Sequence, residues 1–371
     1  MRVGVPTEVK NNEFRVAITP LGVNELVRRG HEVFIQSGAG VGSSISDEDY
    51  AKVGATIVPT AAEVWERGEL ILKVKEPMPS EYDFMHEGHI LFTYLHLAAS
   101  EEITRELMAR KVTSFAYETV ECPDGHLPLL APMSEVAGRL AGQLAAHMLL
   151  KSTGGRGLVM GGVPGTRAAR VMVIGGGTVG FEAAQIASAM GADVTIYDID
   201  FRRMSYIDDI SKGTIHTEYS TELSVSEGIK DADVVIGSVL IPGARTPRLV
   251  STEMVKSMKP GSVLVDVAID QGGCFEPSRP TTHDDPIFEF ANSLFYCVGN
   301  MPGTVPYTST YALTNATMKY CIELAEVGWE QACRNLPELA QGLSTHNGLL
   351  YEPGVAQAFN IELAHLDFEE N

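Results

Sequence analysis

Six positions in the middle of this 371-residue chain, Gly175-Gly176-Gly177-Thr178-Val179-Gly180, follow directly on the apolar run Val171-Met172-Val173-Ile174 and open a helical pattern. A G-x-G-x-x-G turn between a strand and a helix suits the pyrophosphate of a dinucleotide. Gly175 permits the tight turn, Gly177 lets the phosphates approach the backbone, and Gly180 lets the helix pack on the strand. The helix start adds unpaired N–H groups and a positive dipole end. Asp198 closes the next apolar run, Asp193–Tyr197. Its carboxylate can accept both hydroxyls of a ribose and would repel a 2′-phosphate, so the cofactor expected is NAD rather than NADP. Arg202 and Arg203 follow closely and leave some room for NADP, although such arginines more often start a helix or flank an adenosine. In an open α/β sheet the carboxyl ends of later strands line the same crevice. Those ends are Val239-Leu240, Val267-Ala268-Ile269-Asp270 and Val298-Gly299-Asn300-Met301.

Four polar residues stand in strand-end or loop contexts. Arg15 lies in Asn11-Asn12-Glu13-Phe14-Arg15-Val16-Ala17, Lys75 ends Leu70-Ile71-Leu72-Lys73-Val74-Lys75, His96 ends Ile90–His96, and Asp270 ends Val263–Asp270. Singly, each reads as a surface charge, a structural histidine or a cap. Together they are what a dehydrogenase of amino or keto acids needs. Two cations can hold a carboxylate and polarise a carbonyl. A histidine with a pKa near neutrality can exchange a proton, and a carboxylate can help water attack an imine.

The elements that must position these groups fall into two α/β series. In the first, Arg2–Val5, Glu32–Gln36, Leu70–Val74, Ile90–Leu95 and Ser114–Tyr117 are predicted strands, with helices over Thr19–Arg29 and Ser100–Ala109. In the second, Val171–Ile174, Asp193–Tyr197, Asp233–Ser238, Ser262–Ala268 and Leu294–Val298 are continuous apolar strands, as buried parallel strands should be, with helices over Thr178–Met190 and Thr221–Lys230. Long helical patterns run from Pro132 to about Lys151 and from Pro306 to about Gly328, before a helical, acidic tail. The expected fold is α/β, with two Rossmann-like domains of mainly parallel sheets joined by two long helices. Residues 1–130 with 306–371 would form the substrate domain, and 131–305 the inserted NAD-binding domain. Ala137, Gly138, Ala141, Gly142, Ala145 and Ala146 put ridges of small residues on the first long helix. They suit close approach of another helix, either within the chain or, the reading favoured here, across a subunit interface.

Composition narrows the partners. The net charge of −20 and the lack of a dense basic stretch exclude nucleic acid. Five cysteines without a C-x-x-C pattern fit reduced thiols in a cytoplasmic protein. The opening residues do not read as a signal peptide, no apolar run is long enough to span a membrane, and no cysteine or histidine cluster has metal-ligand spacing.

Over essentially its whole length the sequence resembles the alanine dehydrogenases of the alanine dehydrogenase/pyridine nucleotide transhydrogenase family. The shared motifs are Gly4-Val5-Pro6-Thr7-Glu8-Val9-Lys10-Asn11-Asn12-Glu13-Phe14-Arg15-Val16-Ala17, Lys73-Val74-Lys75-Glu76-Pro77, Leu95-His96-Leu97-Ala98, Leu130-Ala131-Pro132-Met133-Ser134-Glu135-Val136-Ala137-Gly138, Asp266-Val267-Ala268-Ile269-Asp270-Gln271-Gly272-Gly273, and Asn300-Met301-Pro302 with Ser309-Thr310-Tyr311-Ala312-Leu313-Thr314-Asn315-Ala316-Thr317. The resemblance implies reversible, NAD-dependent deamination of L-alanine to pyruvate and ammonium, in a homohexamer. Arg15 and Lys75 would bind substrate, and His96 and Asp270 would form the acid/base pair. Ser134, Asp198, Arg203, Ser220, Arg279 and the strand-end segments would contact NAD; position 203 is often lysine in the family. The alternatives are the NAD-binding part of a proton-translocating transhydrogenase, a saccharopine dehydrogenase-like enzyme, and a non-enzymatic NAD-sensing module.

Overall fold

The structure, a computed structural model, describes residues 1–239 and 246–366. It divides into two compact units, Met1–Met133 with Gly303–Asn371, and Ser134–Pro302. The first contains β1 (Arg2–Val5), α1 (Pro20–Arg28), β2 (Glu32–Gln36), α2 (Asp47–Lys52), β3 (Thr56–Val58), α3 (Ala61–Arg67), β4 (Leu70–Leu72), β5 (Ile90–Thr93), α4 (Glu101–Ala109) and β6 (Thr113–Ala116). Helix α5 (Ala131–Met148) carries the chain into the second unit. There follow β7 (Arg170–Ile174), α6 (Thr178–Ala189), β8 (Asp193–Asp198), α7 (Phe201–Ser211), β9 (His216–Tyr219), α8 (Glu222–Asp231), β10 (Val234–Gly237), α9 (Thr252–Lys256), β11 (Val263–Asp266), β12 (Ile287–Phe290) and β13 (Ser293–Tyr296). The chain returns to the first unit with α10 (Pro306–Asn335), α11 (Pro337–Ala340), β14 (Leu343–His346), β15 (Leu349–Leu350) and α12 (Pro353–Phe359).

Each unit is built on one sheet. The first runs β15-β14-β6-β5-β4-β1-β2-β3, parallel from β6 to β3 with β14 and β15 antiparallel at one edge. The second runs β12-β13-β11-β10-β7-β8-β9, parallel except for β12. Taken from β3 or from β9, both parallel portions have the doubly wound order 3-2-1-4-5-6. The strand order reverses between β1 and β4 in one unit and between β7 and β10 in the other, so each sheet has a crevice at its carboxyl edge.

Central strands are the legible ones. Val3, Val5, Leu70, Ile71, Val173, Ile174, Val235, Leu264 and Val265 are all buried, and packing on both faces produces unbroken apolar runs. Edge strands lack that pattern. Strand β9 is largely exposed, and β14 reads Leu343-Ser344-Thr345-His346. The tail is therefore not wholly helical. Its buried Thr345 hydroxyl meets the Ser114 hydroxyl at 2.7 Å, so a polar pair holds the sheet edge where an apolar run would have revealed a strand. Helix α10 continues past the expected stop. Gly328 does leave helical geometry (φ 75°), but the helix resumes beyond it.

The small-residue face of α5 is taken up inside the second unit, which corrects the subunit-interface reading. A Cβ on Gly138 would lie 2.3 Å from the Val179 carbonyl oxygen, and one on Gly142 would lie 2.8 Å from Ile186 Cγ2. The ridge therefore seats α6, the helix that begins at the glycine-rich turn. Ala141 and Ala145 are fully buried in the same core. Among the described residues, no helix is long and apolar enough to cross a membrane.

Gly138→Ala should force α5 and α6 apart at a cost of about 1–3 kcal/mol. Thermal unfolding should show a midpoint several degrees lower; an unchanged midpoint would mean that this contact is not close-packed.

Candidate active site

In the first unit, the candidate residues lie beyond β1, β4 and β5, past the carboxyl edge of the sheet. The strands stop earlier than the sequence suggests. Strand β4 ends at Leu72 and β5 at Thr93, so Lys75 and His96 belong to the loops that follow. The cause is local. Lys73, fully buried, bonds through Nζ to Glu81 Oε1 (2.9 Å) and Glu8 Oε2 (3.1 Å), while Glu8 Oε1 accepts the Val74 N–H at 2.6 Å. The Val74 N–H is thus taken by a side chain, while the Lys73 N–H and the Val74 carbonyl still bond to the Phe92 carbonyl and the Tyr94 N–H, at 3.2 and 3.3 Å. Burial lowers the Lys73 pKa, but the two carboxylates more than offset this and the ammonium is held.

Arg15 is buried against Glu13. Its Nε meets Oε1 at 2.6 Å and its Nη2 meets Oε2 at 2.5 Å, a bidentate pair. Nη1 lies 3.1 Å from Met133 Sδ. The adjoining Val16 N–H donates to Thr310 Oγ1 of α10, fixing the loop. Burial opposes the guanidinium charge, yet Glu13 raises the Arg15 pKa above its ordinary value. Lys75 is also buried, with Nζ 5.8 Å from the centre of the Tyr94 ring. Tyr94 is itself fixed, since its hydroxyl donates to the Leu129 carbonyl. Burial and then the Arg15 charge push the Lys75 ammonium down, with Glu76 acting against them.

His96 adopts a left-handed conformation, φ 49° and ψ 39°. Such a backbone costs a non-glycine residue about 1–2 kcal/mol. The Glu118 carboxylate accepts the Leu95 and His96 N–H groups there, at 3.1 and 2.5 Å through Oε1. The His96 ring reaches to within 4.0 Å of Glu76 Oε2 through Nδ1, and Lys10 Nζ sits 2.5 Å from Glu76 Oε1. The side chain remains 46% exposed at its open edge. Crowding by the protein, then Lys75, Lys10 and Arg15, push its pKa down to about 3. At neutral pH the imidazole of the ligand-free site is therefore uncharged, with a pKa well below the near-neutral value expected from the sequence.

The second unit carries the glycine-rich turn. Gly175 has φ 97°, outside the range that side chains prefer. A Cβ on Gly180 would lie 1.9 Å from the Gly175 carbonyl oxygen, whereas one on Gly177 would meet nothing within 4 Å. The turn is thus packed tightly on its inner side and open on its outer side, with Thr178 and Val179 in the first turn of α6. Asp198 Oδ2 accepts the Gly176 N–H (2.5 Å) and Oδ1 the Asp200 N–H (2.8 Å). Arg203, in the first turn of α7, donates from Nε to the Gly176 carbonyl at 2.5 Å and stacks over Phe181 and Tyr206. Ser220 is tied to the Asp198 carbonyl through its N–H. These groups converge on one turn, and the arrangement fits a dinucleotide: an open glycine, a helix start and a carboxylate beside them.

The remaining positions lie nearby in sequence order. Val239 follows β10; Leu240 falls outside the described residues. Strand β11 ends at Asp266, not at Asp270. Asp266 accepts the Cys274 N–H and the Ser278 hydroxyl and so curls the chain back. Val267, Ala268, Ile269 and Asp270 are in that returning segment, and Asp270 is on a short 3-10 turn. Asp270 Oδ2 accepts the Asn300 N–H at 3.2 Å, and a Cβ on Gly299 would lie 2.4 Å from Asp270 Oδ1. Gly299 and Asn300, between Val298 and Met301 in the chain, therefore lie against Asp270. Ser134 is in the first turn of α5, and Arg279 is exposed over the Phe288 ring.

Sequence reasoning missed the supporting acids. In the sequence Glu13 stands only as a neighbour of Arg15, and nothing marks Glu76 or Glu118. Glu118 could have been found, because it follows the strand Thr113–Ala116 just as the selected residues follow theirs.

Lys75→Met should remove a cation that penalises the imidazolium, so the His96 pKa should rise from about 3 toward its ordinary value of 6.5. NMR titration of the His96 ring in the ligand-free protein reads this directly. An unmoved pKa would show that the two groups do not interact.

The first and second halves of the chain match different family domains. Residues 4–137 match "Alanine dehydrogenase/PNT, N-terminal domain" and residues 141–353 match "Alanine dehydrogenase/PNT, C-terminal domain". A protein of Mycobacterium tuberculosis named alanine dehydrogenase is 60% identical over 356 residues, 96% of each chain. One of Mycolicibacterium smegmatis with the same name is 58% identical over 361 residues, 97% of each. A solved structure titled L-alanine dehydrogenase superposes with a TM-score of 0.94 at 47% identity, covering 97% of this chain and 99% of the other. A solved transhydrogenase from Sinorhizobium meliloti gives a TM-score of 0.81 at 27% identity, covering 95% and 99%. On these matches, which take in both domains and nearly the full length, the chain belongs to the alanine dehydrogenase/PNT family.

Proposed function

We propose that the chain is an NAD-dependent L-alanine dehydrogenase, converting L-alanine and water reversibly to pyruvate and ammonium. The observation that carries this is the cluster of Arg15, Lys75 and neutral His96 beyond the strand ends of one unit. Arg15 and Lys75 are assigned to the substrate carboxylate and carbonyl oxygen. A bound carboxylate would offset the cations that depress His96 and move its pKa back toward neutrality, where proton exchange is efficient. His96 then takes the proton lost from the amino group or the attacking water. Asp270 is assigned to proton exchange during hydrolysis of the imine.

The glycine-rich turn, Asp198, Arg203, Ser134, Ser220, Arg279 and the segments around Val239, Val267–Asp270 and Val298–Met301 are assigned to NAD. Held by these residues, NAD would supply the acceptor for the hydride that leaves the substrate Cα. Gly177 leaves room for phosphates at the α6 start, and Asp198 already faces the turn.

The domain roles follow from these assignments: the first unit holds substrate and the second holds NAD. A cytoplasmic location is supported by the five free cysteines, four of them buried. Assembly as a homohexamer rests on the family resemblance alone, since the α5 ridge is occupied within the unit. A transhydrogenase subunit is the weaker reading, at 27% identity to the solved example against 60% to an alanine dehydrogenase.

Oxidation of NADH with pyruvate and ammonium tests the proposal; absence of turnover with NADH binding intact would end it. His96→Ala should lose nearly all activity while still binding NADH, and wild-type rates in that variant would remove His96 from the acid/base role. Asp198→Ala should relax discrimination against NADPH, and an unaltered preference would show that Asp198 does not face the ribose.

A further inference from the structure

His96 can exchange a proton with substrate only if its ring is held in one place, and its own backbone contributes one turn bond, from the Ala99 N–H to the His96 carbonyl at 2.9 Å. Strand β5 has ended at Thr93, and the residue is in the left-handed region at the start of the short turn Leu97–Ala99. Two peptide N–H groups, those of Leu95 and His96, have left the ladder there. Both are collected by one acceptor atom, Glu118 Oε1, with Oε2 also 3.3 Å from the Leu95 N–H. Glu118 comes from the neighbouring chain segment, directly after β6. It is packed from behind by the carboxyl-terminal part of the first unit. Helix α12 packs on the Leu97–Ala99 turn. Glu352 immediately precedes α12 and bonds to the Ser344 hydroxyl at 3.1 Å. Burial, and next the charge of Glu118, push the Glu352 carboxyl up to about 7, so the two acids are neighbours in a space that favours one negative charge over two.

We infer that Glu118 is the positioning residue of His96: by accepting the Leu95 and His96 N–H groups it holds the left-handed turn that aims the imidazole at the substrate. The inference rests on the proposed role of His96 in alanine dehydrogenation. It also separates two properties of the carboxylate, its reach and its charge. Both bonds go to a single oxygen, so a glutamine can keep them without the charge. An aspartate keeps the charge but is a methylene too short.

The test compares Glu118→Gln, Glu118→Asp and Glu118→Ala, with kcat normalised to the fraction of protein that unfolds cooperatively on heating, so that misfolded protein is not counted. The glutamine variant should stay within about threefold of wild type, while aspartate and alanine should fall by about 10-fold and 100-fold. KM for pyruvate should change little. Because proton transfer is the step that suffers, the solvent deuterium isotope effect should grow in the aspartate and alanine variants. A merely structural role would lower the number of competent sites and leave that isotope effect as it was. Turnover in wild type with aspartate at least as fast as glutamine, or with unchanged isotope effects, would overturn the inference alone. No turnover in wild type would overturn the dehydrogenase reading and this inference together.

Discussion

The buried ammonium of Lys73 is the constraint on which the first unit's site depends. A charge taken out of water must be matched or it destabilises the fold by several kcal/mol. Glu8 and Glu81 provide the match, and in doing so they tie three segments of chain to one point. Glu8 also captures the Val74 N–H, where the strand has ended and the chain turns. Lys75, two residues later, is delivered to the cluster by that turn. The same device recurs at each candidate residue: Glu13 fixes Arg15, Glu118 fixes the His96 backbone, and Asp266 curls the chain toward Asp270. Each candidate group thus stands beside a carboxylate to which no reactive role is assigned.

The two sheets share a strand order but use it differently. In the second unit the crevice is made by backbone: glycines, a helix start and N–H groups, with Asp198 bracing the turn. Phosphates are large and uniformly charged, and main-chain dipoles recognise them well. In the first unit the crevice is made by side chains, which offer donors at particular points, as the proposed small carboxylate with a carbonyl beside it would require. Doubly wound topology supplies the location in both cases, and local sequence decides the chemistry.

The central parallel strands and the glycine-rich turn could be read in advance, since burial on two faces writes an apolar run and a tight turn writes glycines. What escaped was held by polar pairing. Strand β9 is exposed, β14 is stapled by Ser114 and Thr345, and carboxylates distant in sequence, Glu8 and Glu118, collect the N–H groups past the ends of β4 and β5, while Asp266 closes β11 from its own last position. A residue such as Glu118 looks like any surface acid until its partners at positions 95 and 96 are known. The ridge on α5 shows the opposite case. Its pattern was visible, but the pattern specifies only close approach; which helix fills it is tertiary information.

The antiparallel strand β14 pairs with β6 after an excursion of more than two hundred residues, 231 between Ser114 and Thr345. During synthesis the second unit, contiguous in the chain, can close its own sheet as it emerges. The first unit must wait with the β6 edge unpaired until the carboxyl-terminal segment arrives. Contacts of such separation form slowly. The unit carrying Arg15, Lys75 and His96 is therefore the last to mature, and its unguarded edge is where a nascent chain would be most prone to pair with the wrong strand.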